Sequence, residues 1–485
     1  MTATTPLTGP RDEYRDAAPA GPATDTDTTA GPGGGSPDRS QGNPEAAGLR
    51  LLPPRHIHAV EPRLTADQQA AVDVPHGAGP VLMPGAPGTG KTTTLVEAAV
   101  RRAFRDGVDP ERMLILAPSR LAADTLRDRF TARLDRSLST TPARTWASYA
   151  FDVIRRAKAE GLLSLSRQPR LLSGPEQDLI IKELLEGHRL PGLELPWPAD
   201  MEGALETRGF RQEVRQLFDR IIESGRTPED LVRLGHDCGR PDWLAAAALY
   251  SEYRDVLDLR MPEAFDPAGI ITAARQIFQD FPAFLAAERE RLQVILVDDI
   301  QEANPAVFEL LADIAGGKDS FVAFCPDTVV QGFRGARPDL VAELPHLLSP
   351  GAPVVERPLR HAHRQKPAVA EAWLGVAGRI SQRAGGQLAR RLEHAGCGGP
   401  EGAVEAHLVP SAVHELRYVA QRILDQHINQ GRDLADVAVI VRNGAQVSEF
   451  QRYLSGQGIA VRVPVAESAV RDEVAVRPLL DAFAI

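Results

Sequence analysis

GAPGTGKT, residues 85–92, decides how this chain folds. Gly85 and Gly90 have four residues between them and are followed by Lys91 and Thr92. That spacing lets backbone N–H groups wrap a phosphate at a helix N-terminus. Lys91 then reaches the β and γ phosphates, and the Thr92 hydroxyl faces magnesium. The flanks agree: an apolar run, GPVLMPG, leads in and TTLVEAAVRRAF leads out with helical character. Upstream, TADQQAAV predicts a helix capped by Thr65. Gly85, Ala86, Pro87, Gly88, Thr89, Gly90, Lys91 and Thr92 are therefore the expected nucleotide-binding loop, with a nucleotide and Mg2+ as its ligands.

A phosphate loop needs a companion acid, and ILVDDIQEAN, residues 295–304, supplies one. An apolar strand ending in Asp298 places a carboxylate beside the metal. Thr92 and Asp298 are the expected magnesium ligands.

The 485 residues are enough for about three domains. Three widely spaced cysteines, Cys238, Cys325 and Cys397, suggest neither a disulfide framework nor a metal-ligand set, which fits a reducing, cytoplasmic setting. No apolar run is long enough to cross a bilayer, so no membrane partner is expected. With 55 basic against 65 acidic residues the net charge is -10, so any grip on nucleic acid must come from a local groove. Residues 1–48 are rich in Pro, Gly, Ala, Thr and Asp and are expected to be disordered, because they cannot bury enough surface to offset ordering entropy.

The strand–helix alternation continues with MLILAPS and LAADTLRDRF, giving a parallel α/β sheet. From about 150 to 285 the pattern is helical throughout, which predicts an all-helical insertion. Strands return with LQVILVDD and SFVAFCPD. Residues 60–350 thus form one α/β domain split in sequence. A second α/β block is expected over 351–485, with strands in GAVEAHLVP, DVAVIVR and IAVRV and helices in HELRYVAQRILDQHI and VSEFQRYLSGQ. The chain stops at RPLLDAFAI within a helical pattern.

These stretches, taken in order, resemble the UvrD-like superfamily-1 DNA helicases. LTADQQAAV is similar to the family's adenine-reading segment, with Gln68 as the glutamine. ILAPSRLAADTL and TWASYAF resemble strand-contact motifs, the second retaining Thr145 and Ser148. VDDIQEAN places Gln301 on the coupling glutamine, GFRGA (332–336) ends a third motif, and Arg364 falls on an arginine that crosses the interdomain cleft. The resemblance implies a P-loop NTPase (RecA-like) parallel-sheet domain with an all-helical insertion, followed by an incomplete second RecA-like α/β domain. It also implies ATP hydrolysis driving 3′ to 5′ movement on single-stranded DNA. Lys91, Asp298, Asp299, Gln301 and Arg364 would be catalytic, while Thr145, Trp146, Ser148, Tyr149 and Phe333 would contact DNA. For Trp146 and Tyr149, core packing is the alternative.

The chain also departs from that family. Asp299 stands where a glutamate activates water, one methylene shorter. Thr328 replaces a glutamine that senses the γ phosphate, and Pro118 and Gln331 replace aromatics. The Asp-Asp doublet, the proline-rich leader and the Arg-heavy usage look like the actinobacterial AdnA-type subunit of a helicase-nuclease. That likeness implies a second helicase-nuclease subunit as partner. It leaves open a weakly hydrolysing, nucleotide-binding structural subunit instead of a motor.

Overall fold

Short runs of aliphatic residues line up in parallel because both of their faces are covered, which favours continuous apolar strands over alternating ones. The computed structural model describes residues 61–463 apart from 135–137, 139–141, 191, 193–194, 352, 382–387 and 394–401. The leader 1–48 and the RPLLDAFAI stretch lie outside the described residues.

Helix α1 (Ala66–Val72) precedes β1 (Val81–Pro84), which runs through the glycine loop into α2 (Lys91–Phe104). Next come β2 (Met113–Ala117), α3 (Arg120–Arg133), β3 (Ala143–Thr145) and α4 (Trp146–Ala159). The chain then leaves through β4 (Arg170–Leu171) into α5 (Gly174–Gly187), α6 (Arg208–Glu223), α7 (Pro228–Asp237) and α8 (Pro241–Arg260). It returns through β5 (Ala264–Phe265), α9 (Ile270–Asp280), α10 (Pro282–Arg291), β6 (Val294–Val297), α11 (Pro305–Ala315), β7 (Asp319–Phe324) and α12 (Leu344–Leu348). Beyond lie β8 (Val355–Glu356), α13 (Pro367–Ala377), α14 (Ala412–Leu424) and α15 (Gly444–Gly456).

Six strands form one parallel sheet in the order β3-β2-β6-β7-β1-β8. One face is packed by Tyr149, Val153 and Ile154 of α4, Ala274 and Phe278 of α9, and Phe308 and Leu311 of α11. Ala71 of α1, Leu95 and Ala99 of α2 and Leu126 and Phe130 of α3 fill the other. The fold is α/β with a parallel sheet, and the carboxyl ends of β1, β2, β6 and β7 share one edge. Open α/β sheets bind their ligands at that edge.

Two boundaries differ from the sequence reading. Helices α4 and α9 lie at the ends of the segment expected as an insertion, but they pack on the sheet. The separate helical body is α5–α8, whose own core includes Ile181, Phe218, Leu249 and Tyr253. A helical period cannot say which core a helix joins. The sheet also extends past residue 350, because β8 pairs with β1 and Leu359 bridges to Gly85.

In the second block the expected helices form, and Leu416, Ile423, Phe450 and Leu454 pack into a small cluster. The three expected strands do not pair: 403–409, 437–441 and 459–463 carry no ladder among the described residues. A strand is stabilised by its neighbour, so apolar β-formers without a partner stay merely extended.

Candidate active site

At the end of β1 the chain must turn back within a few residues to start α2. Gly88 and Gly90 both take φ of 80°, a left-handed conformation that side chains resist. Gly90 caps α2, and a Cβ there would strike the Gln68 amide. The loop therefore presents its N–H groups at the start of a 14-residue helix, where the helix dipole favours anions. Lys91 Nζ donates to Gly85 O (3.0 Å) and Ala86 O (3.2 Å), so the ammonium folds back over the loop it would serve.

Strand β6 sits next but one to β1, and its end brings Asp298 to the loop. Thr92 Oγ1 donates to Asp298 Oδ2 at 2.7 Å. Asp298 is buried, and its Oδ1 has no hydrogen-bond partner among the described residues. Burial pushes this carboxyl up from its ordinary range, the Asp299 charge adds to the rise, and Thr92 and Lys91 oppose it. A hydroxyl beside a buried carboxylate with a spare oxygen fits a hydrated magnesium ion, whose charge would restore the ionised form. Thr92 and Asp298, expected together, are together.

Asp299 follows with φ 49° and ψ 48°, the single non-glycine residue at positive φ among those described. Asp tolerates this conformation better than longer side chains because its short polar group can bond locally. Gln301 Nε2 donates to Asp299 Oδ1 (3.0 Å), and Gln301 Oε1 accepts from the Cys325 N–H (3.0 Å). Gln301 thus ties the acid to the end of β7 from a buried position.

A cleft of about 480 Å³ joins these groups. Pro87, Gly88, Gly90, Lys91, Thr92, Asp298, Asp299, Thr328 and Arg364 line it. Arg364 arrives because the 359–363 segment runs beside the loop: Leu359 N–H donates to Pro84 O (2.8 Å) and His363 N–H to Gly88 O (2.9 Å). Ser119, Leu121, Thr125 and Arg129 also line the cleft. Sequence reasoning missed these four, although Leu121, Thr125 and Arg129 recur every four residues on one stripe of α3 and Leu121 is an exposed leucine in it.

Gln68, expected to read adenine, sits against the glycine loop. Its amide is buried; Nε2 donates to Thr89 O (3.2 Å) and Oε1 accepts the Thr65 N–H (3.0 Å). It is absent from the cleft lining because it closes the cap of α1 and braces the glycine loop from behind. Asp67 beside it receives the Arg360 N–H at 2.7 Å. Burial alone would push Asp67 up, yet bonds from Thr65, Arg360, His361 and the Gln68 N–H hold it at about 2.

A second cavity, about 310 Å³, opens between the strand ends and the helical body. Pro118, Arg120, Thr145, Trp146, Ala147, Glu223, Gln331 and Arg334 are among its lining residues. Ser119 and Asp299 line both cavities. Thr145 caps α4, its hydroxyl accepting the Ser148 N–H at 3.1 Å, and Ser148 is exposed. Phe333 is exposed, with the Arg334 guanidinium 5.3 Å from its ring centre. Tyr149 is the clear miss among the expected DNA contacts. It is 1% exposed and donates to Glu288 Oε1 at 2.7 Å, because its position on α4 faces the sheet. Trp146 is also mostly core and leaves only an edge on the cavity.

Residues 64–348 match the UvrD/REP helicase N-terminal domain. The chain is 22% identical over 396 residues to the ATP-dependent DNA helicase PcrA of Staphylococcus epidermidis, covering 80% of this chain and 49% of that protein. It is 23% identical over 380 residues to DNA helicase II of Escherichia coli, covering 78% and 48%. A probable DNA helicase of Mycoplasma pneumoniae is 22% identical over 398 residues, covering 81% and 70%. The chain therefore spans about half the length of the first two of these relatives.

Proposed function

The chain belongs to the UvrD/REP helicase family, and on that premise we propose that it binds and hydrolyses ATP in response to single-stranded DNA, as part of a helicase. The observation that carries this reading is the 2.7 Å contact between Thr92 and Asp298 over the glycine loop, with one Asp298 oxygen buried and without a hydrogen-bond partner among the described residues. The triphosphate lies along the loop N–H groups, and Lys91 leaves the Gly85 and Ala86 carbonyls to meet it. Thr92 and Asp298 would hold Mg2+, which supplies charge neutralisation at the β and γ phosphates. Asp299, held by Gln301, takes a proton from the attacking water, and Arg364 offsets charge growing on the γ phosphoryl group. Because Asp299 and Ser119 line both cavities, a strand in the second one is felt at the acid that orients water.

The same reading extends to 3′ to 5′ movement, a cytoplasmic location, a role in DNA repair and a second helicase-nuclease subunit, all of which the family resemblance implies. Among the described residues no helix is long and apolar enough to cross a membrane.

Asp299 favours a second reading, a subunit that binds ATP and turns it over slowly. Its carboxylate is shorter than a glutamate's by about 1 Å of reach, and misplacement on that scale costs about a hundredfold in rate. Phosphate release from ATP with and without an oligonucleotide separates the two. A motor responds to single strands, whereas tight binding with no response marks the slow subunit. Lys91→Ala is expected to lower turnover by about a hundredfold or more, and parental turnover in that variant removes the site assignment.

A further inference from the structure

Asp327 lies at the tip of β7, between Cys325, whose N–H is read by Gln301, and Thr328, which lines the cleft. Its side chain is 1% exposed, so a charge there requires a partner. The partner comes from a distant part of the chain. Arg390 Nε donates to Asp327 Oδ2 at 2.7 Å and Nη2 to Oδ1 at 2.6 Å, a two-pronged pair, while Nη2 also reaches Ile380 O at 3.2 Å. Three residues on, the same segment is stitched to the stretch that leads into Arg364. Glu393 N–H donates to Arg360 O (2.6 Å), and Ala362 N–H donates to Glu393 O (3.2 Å). Residues 388–393 therefore join two walls of the cleft that do not otherwise share a ladder. One is the 325–331 loop, tied through Gln301 to Asp299; the other is the 359–364 segment, tied through His363 to Gly88.

We propose that Arg390 is a positioning residue for ATP hydrolysis, acting through Asp327 to hold the 325–331 loop and the Arg364-bearing segment at a fixed separation across the cleft. It touches neither nucleotide nor metal. Removing the guanidinium strands a buried carboxylate, and the loop must then move to wet it, carrying the Gln301 contact at Cys325 with it. A lysine supplies charge without the planar fork, so it restores part of the geometry.

The kinetic arm of the test rests on the reading given under Proposed function; the exchange arm does not. The full chain, Arg390→Ala, Arg390→Lys, Asp327→Ala and the double alanine variant are compared for ATP turnover with and without single-stranded DNA. They are also compared for amide hydrogen exchange. Arg390→Ala is expected to lower kcat about tenfold or more with KM for ATP within about threefold, and Arg390→Lys to recover part of it. The double variant is expected to be no worse than Asp327→Ala, since the two side chains act as one unit. Exchange in 325–331 and 360–364 should quicken together by about tenfold in Arg390→Ala, with β2 and β6 unchanged. Parental kcat in Arg390→Ala, additive losses in the double variant, or exchange that rises in one segment alone or spreads to β2 and β6 each overturns the proposal. If the parent chain shows no turnover, the functional reading fails and the exchange result by itself decides the role of Arg390.

Discussion

Between residues 61 and 348 apolar strands pair into a sheet, whereas between 402 and 463 similar stretches carry no ladder among the described residues. β6, VILV, is flanked by β2 and β7 and fully buried. The stretch 437–441, VAVIV, has comparable β-forming character, yet Ile440 is 94% exposed. Local preference is nearly the same in the two places, and Val437 and Val441 do pack against the α14–α15 cluster; the difference lies in whether a neighbouring strand is present. Two cores press on the sheet from both sides, while α14, α15 and Ile459 share a cluster of six buried residues. Cooperative stability should follow that division.

The strongest way to break the comparison is to cut each core in turn. Phe308, 2% exposed beneath the sheet, should lose about 3–5 kcal/mol on Phe308→Ala, read as a lowered midpoint for the whole lobe in denaturant. Phe450→Ala should cost less, about 2 kcal/mol or under, since the cluster it leaves is small and can collapse. Its exchange signature should stay within α14 and α15, and acceleration in β6 would show that the two regions unfold as one.

A finer test concerns the contact between the helical body and the sheet. Glu223 pairs with Arg220 at 3.0 Å beside Gly335, facing Asp219 and Arg334 as well. Burial pushes its carboxyl up to about 7 against the pull of Arg220, so the folded chain holds a proton there that the unfolded chain has released. Stability from this group is thus fullest below its ordinary value of 4.5 and falls as pH rises toward 7. Glu223→Gln should flatten that decline, making the variant the more stable protein at pH 8. A parallel pair of stability–pH curves would refute it. The smallest effect belongs to the exposed segment: Ile440→Asp should shift the midpoint by no more than about 0.5 kcal/mol, as surface changes do.

The glycine loop and the acid strand were readable because each carries its mechanism in a few adjacent residues: Gly90 for the left-handed cap, Thr92 and Asp298 for the metal. Strand order was not, since nothing local says that β6 enters between β2 and β7. Tyr149 and Ser148 are adjacent on α4 and face opposite ways, a distinction that a motif match does not encode. Gln68 adds a use that a motif match does not encode, since its amide closes a helix cap and braces the glycine loop. Asp299 looked like a loss of reach, and its left-handed backbone gives the shorter acid a local reason that no linear pattern holds.

The helical body α5–α8 is joined to the sheet domain by β4 and β5, which lie side by side, with Arg170 N–H donating to Glu263 O at 2.9 Å and Leu172 N–H to Phe265 O at 3.0 Å. A lone connecting strand would act as a swivel. Two laddered strands resist torsion, so the attached helices transmit a turning force to the sheet instead of dissipating it, and a load applied at their far end arrives beside Glu223 and Arg334 as leverage.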